Sequence, residues 1–545
     1  MVESKYNNLK YFSRNATGLV KALSPFQVLT FNTSFINIGL ILIYTFLYVP
    51  SFHPGANMIL ACLIGAIIAL PMAIANSMLS NIYPRSGGEY VYNSRTLCPS
   101  IGFATNFNIS IWLLYYVGVS CVLFPKYGLT AIFRFIGVQT KNNIYINISS
   151  WLSSNHGMFI VGTLTLILIM IGLMISTKKM AKIQSWYFSF GLFSLLIIIF
   201  VLLSNSNSEY IKSFNNYFSF INNDFSYEKI IDKANQYGFS KMSFSMLETF
   251  LILFWPASFL FWGNASTYFG GEIKNTKRSQ LFGLTGAVIL SGIFLVLIII
   301  TFNKTLDKEF LGAINYLHVI GEGTVITPLF SELGAIPSSL FWGLIILIGC
   351  TYWTIAFVPL CIGAVTRNLL AWSLDRLAPE KMSQVSNKFH TPIPAILICA
   401  IIGEIAVFLH VYVPAFAFMV GVVGAFLTFM ITAISATIIP FRKKDVFESS
   451  PVNKKIFGIP VISLIGILAF IGLTIVQISV LSDPYSGISI SPNTDAGYGA
   501  GIPFYMFLFN IAIFLLGFLI YFMAKLIRKK QGIDISLAFL EIPPE

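Results

Sequence analysis

Two of the long apolar segments in this chain are broken near their middles. The first runs from Phe26 to Val49 and carries Asn32, Thr33, Ser34, Asn37 and Gly39; the sixth runs from Phe244 to Phe269 and carries Pro256, Ser258, Gly263, Asn264 and Ser266. Hydrocarbon offers no partners to bare backbone N–H and C=O groups, so an interrupted spanning helix must line a protein cavity or a site. A matched pair of such segments, five helices apart, is the pattern of a binding site between inverted repeats.

Composition excludes a soluble domain. Hydrophobic residues make up 56% of the 545 and charged residues 10%, where an ordinary soluble domain carries about 25% charge. A ~30 Å hydrocarbon core needs about 20 apolar residues to cross, and twelve such runs can be counted. The expected fold class is therefore an all-α polytopic membrane protein, one domain over residues 1–545 with no soluble domain of useful size. The stretch up to Lys21 is polar and the first apolar run is full length, so no cleavable leader is expected.

The net charge of +12 would suit nucleic acid, but its placement argues for a bilayer. With the N-terminus inside, most of the 34 Lys and Arg fall on the inner side, among them Lys5, Lys10, Arg14, Lys21 and the cluster Arg442, Lys443, Lys444. That bias predicts a plasma-membrane protein with both termini cytoplasmic. Cys62, Cys121, Cys350, Cys361 and Cys399 lie in apolar runs and Cys98 in a loop, with no zinc spacing. Neither disulfide, metal nor other cofactor is expected.

Spans one to five (about residues 26–203) can be laid over spans six to ten (about 244–439), since each set opens with an interrupted segment and an odd-numbered set inserts upside down relative to its twin. Two further helices, at about 461–524, are left for the periphery.

Several stretches then become recognisable. Pro84-Arg85-Ser86-Gly87-Gly88-Glu89-Tyr90-Val91-Tyr92 with Gly102-Phe103 resembles the loop after the second helix of amino acid–polyamine–organocation permeases. Gly271-Glu272-Ile273-Lys274-Asn275 is similar to the end of their sixth helix, and Arg367-Asn368-Leu369, Asp375-Arg376, Pro379 and Thr391-Pro392 to the end of the eighth and the loop beyond. The tail from Gly532-Ile533-Asp534 to Glu541-Ile542-Pro543-Pro544-Glu545 resembles one branch of the group. The resemblance covers essentially the whole chain. It implies a five-plus-five inverted repeat with discontinuous helices one and six, and a secondary transporter of amino acids. One departure stands out: the family's first helix reads like Gly-Ser-Gly-Ile-Gly, and here the stretch is Ser34-Phe35-Ile36-Asn37-Ile38-Gly39.

An amino acid zwitterion in mid-membrane needs N–H donors for its carboxylate. A half-helix starting inside the membrane supplies them, with about half a positive charge. Asn37, Ile38 and Gly39 fall at that start, with Ser34 one turn before. The ammonium needs acceptors, sought in unwound backbone around Ser258, Phe259 and Phe261, with Phe261 and Trp262 closing over the ligand beside Gly263. Segments one, three, six and eight carry no mid-depth Asp or Glu. A cationic substrate side chain would want one, so a neutral or apolar amino acid is favoured. Glu404, the deepest carboxylate, is read as structural.

Arg85, Glu89 and Arg95 are expected to form ion pairs of an inner gate with other cytoplasmic loops. Na+ or H+ is a possible coupling ion; Ser34, Thr351 and Thr354 are candidate Na+ ligands, and the fifth span offers only uncharged residues between Ser185 and Leu203. A same-fold carrier of amines, polyamines or nucleobases and a non-transporting nutrient receptor remain alternatives. Five scattered histidines without a catalytic partner pattern argue against an enzyme, and the lack of a Gly-Lys-Ser/Thr phosphate loop argues against an ATP-driven pump.

Overall fold

The structure is a computed structural model that describes residues 21–221, 226–322, 327–386, 391–413, 416, 421–491 and 502–539. Lys5, Lys10 and Arg14, the tail Glu541 to Glu545 and the expected start of the tenth span at Ala415 lie outside the described residues.

Among the described residues, twelve helices are long and apolar enough to cross a membrane. Among the described residues the only sheet is a two-residue antiparallel pairing of Lys455–Ile456 with Ile459–Pro460. The chain is thus an all-α polytopic membrane protein.

Span one, Pro25–Phe52, shows how local chemistry breaks a rod. Ser24 starts it: its hydroxyl accepts from the Gln27 N–H (3.3 Å), and the Gln27 side chain accepts from the Ser24 N–H (2.9 Å). Pro25 fits the first turn, where no N–H is needed. The helix stops at Asn37, which takes the left-handed conformation with φ 64° and ψ 71°. Asparagine reaches that region more easily than most residues because its short amide bonds to nearby backbone. Here the Asn37 N–H donates to the Thr33 carbonyl (2.9 Å) and its side-chain oxygen accepts from the Leu40 N–H (3.1 Å). One residue ends the first half, Pro25–Ile36, and caps the second, Ile38–Phe52.

Span six, Met246–Tyr268, comes in three pieces, Met246–Leu251, Phe254–Leu260 and Ala265–Tyr268. Residues 261–264 between the last two are turns. Pro256, which has no N–H to give, sits in the first turn of the middle piece.

Burial sorts the spans into an inner and an outer set. In spans one, three (Pro99–Gln139) and eight (Leu340–Leu374), 78% of the most apolar stretch is buried, against 22% in span twelve (Ile502–Lys530). Span ten (Val422–Arg442) belongs with span six to the inner group. Outer spans show Ile160, Leu164, Leu168, Leu515 and Leu519 to their surroundings, as lipid contact requires. Lipid is as apolar as leucine, so helices associate through close packing instead. At Gly118 of span three, a Cβ would stand 2.6 Å from Ala406 of span nine (Ile393–Tyr412).

The loops that join the spans alternate between two faces. One face carries both ends of the described chain and the basic loops; it is called the basic face below. The opposite face carries the two long loops, which fold largely into short helices such as Asn207–Ser219, Lys308–Val319 and Phe330–Ala335.

Candidate functional site

The breaks in spans one and six enclose a cavity of ≈ 60 Å³. A water needs only about 10–15 Å³ of such space, so there is room for a small solute. Span one contributes Phe35, Asn37, Leu40 and Tyr44; span six contributes Ser258, Phe259 and Trp262; span three contributes Tyr116, Val119 and Ser120. Phe357 of span eight and Val422 at the start of span ten complete the wall. Among the described residues no Asp, Glu, Lys, Arg or His lines it.

The wall is mostly aromatic, and its rings support one another. Phe35 stacks on Phe357 with centroids 4.5 Å apart. Trp262 stands edge-on to Phe35, Phe357 and Tyr116 at 6.0, 5.9 and 5.9 Å. Edge-to-face pairs at these distances contribute about 0.5–1.5 kcal/mol beyond area burial, so the cage is set before any ligand arrives. Ser258 Oγ is buried in that wall and has no hydrogen-bond partner. Buried hydroxyls rarely stay unpaired.

Four of the residues expected at the site, Asn37, Ser258, Phe259 and Trp262, line the cavity; Ser34, Ile38, Gly39, Phe261 and Gly263 are not part of the wall. The Asn37 amide, expected to donate to a ligand, donates to the Trp353 carbonyl at 2.7 Å. Gly39 lets span eight come close, since a Cβ there would lie 2.3 Å from Trp353 Cγ. Gly263 faces Ile36, and Phe261 packs edge-on against Phe426 at 5.5 Å. Ile38 opens the second half-helix, whose first N–H groups find no acceptor within that helix.

The hydroxyls considered for an ion do not converge. Ser34 Oγ pairs with the Tyr352 hydroxyl at 2.6 Å, while Thr351 donates to the Leu347 carbonyl and Thr354 to the Thr351 carbonyl. The same Tyr352 hydroxyl accepts from Gln184 Nε2 at 3.0 Å, and Gln184 also donates to the Ala356 carbonyl at 2.9 Å. Gln184 belongs to span five, Lys178–Leu203, one residue before the stretch from Ser185 to Leu203. Glu404 accepts from Thr163 of span four, Asn155–Ile175, at 2.6 Å.

The missed wall residues carry a signal after the fact. Asn37, Leu40 and Tyr44 are spaced i, i+3, i+7, and Tyr116, Val119 and Ser120 are spaced i, i+3, i+4. Each set is one stripe of a helix. In a segment apolar all round, nothing singles that stripe out.

Below the cavity the family-like stretches meet. Gly87 (φ 110°) and Gly88 (φ 51°) turn the chain through conformations that side-chain-bearing residues avoid. The Gly87 N–H donates to the Tyr268 carbonyl at 3.1 Å, which docks the loop under span six. The next helix, Glu89–Thr96, is wholly buried. Its Arg95 bonds to Asp375 at 2.7 Å, and Tyr90 donates to the same carboxylate oxygen at 2.7 Å. Arg367 holds Glu272 with two bonds, 2.9 and 3.1 Å. The chain's last described turn, Ile535–Phe539, covers the cluster: the Ala538 carbonyl accepts from Arg95 at 3.4 Å, and the Phe539 ring lies 4.7 Å from the guanidinium. Arg85 donates to the Pro84 carbonyl at 3.2 Å.

Of the residues expected to form gate ion pairs, Arg95 pairs with the Asp375 carboxylate. Glu89 accepts instead from the Tyr268 hydroxyl and the Asn106 amide, each at 3.0 Å. Burial pushes its carboxyl up from 4.5 to about 7, against the pull of its own backbone N–H, Tyr268 and Asn106.

The opposite face has its own closure, which the sequence did not announce. Arg134 of span three forms a forked pair with Glu332, one bond being 2.7 Å, and Tyr217 donates to Glu332 at 2.8 Å. The two side chains are 8% and 3% exposed. Such a planar, two-bond pair fixes geometry as well as charge.

The family model described as "Amino acid permease" matches residues 15–531. Among individual proteins, the chain is similar to "Uncharacterized protein 399" of Sulfolobus islandicus rod-shaped virus 1. The two are 22% identical over 375 residues, which is 68% of this chain and 69% of the viral protein.

Proposed function

The chain belongs to the amino acid permease family, and from that premise we propose that it carries neutral or apolar amino acids across the membrane by alternating access. Membership makes it a multi-pass membrane transporter of amino acids or related organic cations. The single observation behind the narrower reading is the cavity wall. It is aromatic and aliphatic, with Asn37, Ser120 and Ser258 as its polar side chains besides two tyrosines, and no carboxylate among the described residues. A substrate with a cationic side chain would meet ring faces there but no carboxylate, and a charge without a counter-charge at that depth is costly. An apolar side chain gains from the rings, and the ligand's own polar groups can engage the Ser258 hydroxyl. At the start of Ile38–Phe52 the Leu40 and Ile41 N–H groups already donate to Asn37, which leaves those of Ile38 and Gly39 for a ligand that reaches past the wall.

Alternating access is supported by the two closures, each a buried ion pair whose rupture would open one face. The positive-inside bias supports placing the basic face in the cytoplasm. The matched breaks support two inverted repeats of five spans over about residues 26–203 and 244–439, with the last two spans outside them.

Counterflow of labelled amino acids in proteoliposomes, run beside a thermal-shift screen of all twenty amino acids, polyamines and nucleobases, tests the reading. Neutral apolar amino acids should both stabilise and exchange. Stabilisation by polyamines or nucleobases alone would refute the substrate class. Binding without exchange would make the protein a receptor. Repeating exchange with and without Na+ reads whether that ion is coupled.

A further inference from the structure

Glu89 is a buried carboxylate, 2% exposed, that the transport reading does not use. It stands between the cavity and the basic face. Its Oε1 accepts from the Tyr268 hydroxyl on the last piece of span six and from Asn106 of span three, each at 3.0 Å. The Tyr268 ring lies edge-on to Phe35 at 6.4 Å, and Phe35 is part of the cavity wall. Asn106 in turn accepts from Trp372 Nε1 at 2.7 Å. One carboxyl therefore ties together the discontinuous span, span three and the end of span eight.

The charged neighbours are engaged elsewhere. Arg95 on the same helix bonds to Asp375, and Arg367 of span eight bonds to Glu272. Tyr92, also on that helix, shares its hydroxyl with Ser80 at 2.7 Å. Among the described residues no cation stands within ion-pair distance of Glu89. Burying a lone carboxylate is costly enough that such a group takes a proton instead.

We infer that Glu89 is a proton-binding site of the inner gate, protonated while the gate is shut and discharged to the cytoplasm when opening lets water reach it. This rests on the transport reading for its purpose, not for its chemistry. The consequence is a link between gate opening and cytoplasmic pH. Shut, the carboxyl sits at about 7; open and hydrated, it returns toward 4.5. The shut state therefore binds more protons throughout that window. Below it both states are protonated, and above it both are charged. Between the two values the open-to-shut ratio climbs up to tenfold per pH unit and then levels above about 7. Acidification of the cytoplasm closes the gate.

A thiol placed under the gate reads this directly. Ala181 of span five is 1% exposed and borders a small cavity on the basic-face side with Phe269 and Arg367. In proteoliposomes an impermeant alkylating reagent is applied to the basic face of an Ala181→Cys variant. The modified peptide is quantified by mass spectrometry from pH 5 to 8. Adding Glu89→Gln to the same chain supplies the reference that cancels the thiol's own pH response. The ratio should rise steeply from pH 5 to 7 and flatten above it.

Tyr268→Phe removes a donor that favours the charged carboxylate, so its plateau should move to higher pH; this variant carries the test even if Glu89→Gln folds poorly. A ratio independent of pH, or a Tyr268→Phe profile that does not move, overturns the inference. Counterflow on the same vesicles keeps the two readings apart. Exchange with a flat ratio sinks the proton site alone. A rising ratio without exchange of any amino acid sinks the transport reading and leaves the proton site standing.

Discussion

The cavity and the two closures that flank it are made of opposite materials. The cavity is bounded by ring faces and short hydroxyls, with Ser258 left unpaired. The closures are bounded by buried guanidinium–carboxylate pairs, forked at Arg134–Glu332 and Arg367–Glu272 and single-bonded at Arg95–Asp375. Dispersion contacts are weakly directional and sum over many atoms. Forked ion pairs are directional and all-or-none, and losing one partner strands a buried charge. The middle of the protein can therefore adapt to side chains of differing outline, while its ends switch between discrete arrangements.

Breaking one closure should give the largest effect. Glu332→Ala leaves Arg134 buried without its counter-charge and should cost about 3–5 kcal/mol of stability. The double variant Arg134→Met with Glu332→Leu should recover most of that loss. Thermal unfolding in detergent compares them; equal losses in single and double variants would mean that the pair is not the switch-like element described.

Crowding the cavity's backing should cost less. Gly39→Ala drives a methyl into Trp353, and overpacking of this kind destabilises by about 1–3 kcal/mol. Because the shift falls on the first turn of Ile38–Phe52, counterflow should drop more than stability does. A variant as active as its parent would show that this turn is not where the ligand sits.

Ser258→Ala sharpens the contrast from the cavity side. Removing an unpaired hydroxyl should leave stability within about 1 kcal/mol, or raise it, whereas a hydroxyl that bonds the ligand should take about 0.5–1.5 kcal/mol of affinity with it. Titration calorimetry or thermal shift with the best amino acid reads a two- to tenfold weakening. Unchanged affinity would remove Ser258 from the site.

Much of the fold was legible because the bilayer leaves so few options. Interrupted apolar runs had to become broken helices, and Asn37 falls at the break because its amide can end one helix and begin another. Partners were harder to read than positions. The Asn37 amide looked free in the sequence, yet it is spent on Trp353, more than three hundred residues away. Ser34 met Tyr352, and Gln184, one residue before Ser185, joined them. Glu332 lay in a loop that gave no hint of Arg134. Such pairs depend on how helices cross, which hydropathy does not encode. The family-like stretches were recognisable singly; that Arg95, Asp375, Glu272 and Arg367 gather in one cluster became visible only in three dimensions.

The covering of Arg95 by Ala538 and Phe539 sets an order of events at the ribosome. Helices one to ten can insert and pack while the chain is still being made. The guanidinium of Arg95 acquires its last carbonyl and its aromatic lid only when residues near 539 emerge. A nascent chain is thus unlatched on its basic face until that turn emerges and folds back onto the helix Glu89–Thr96.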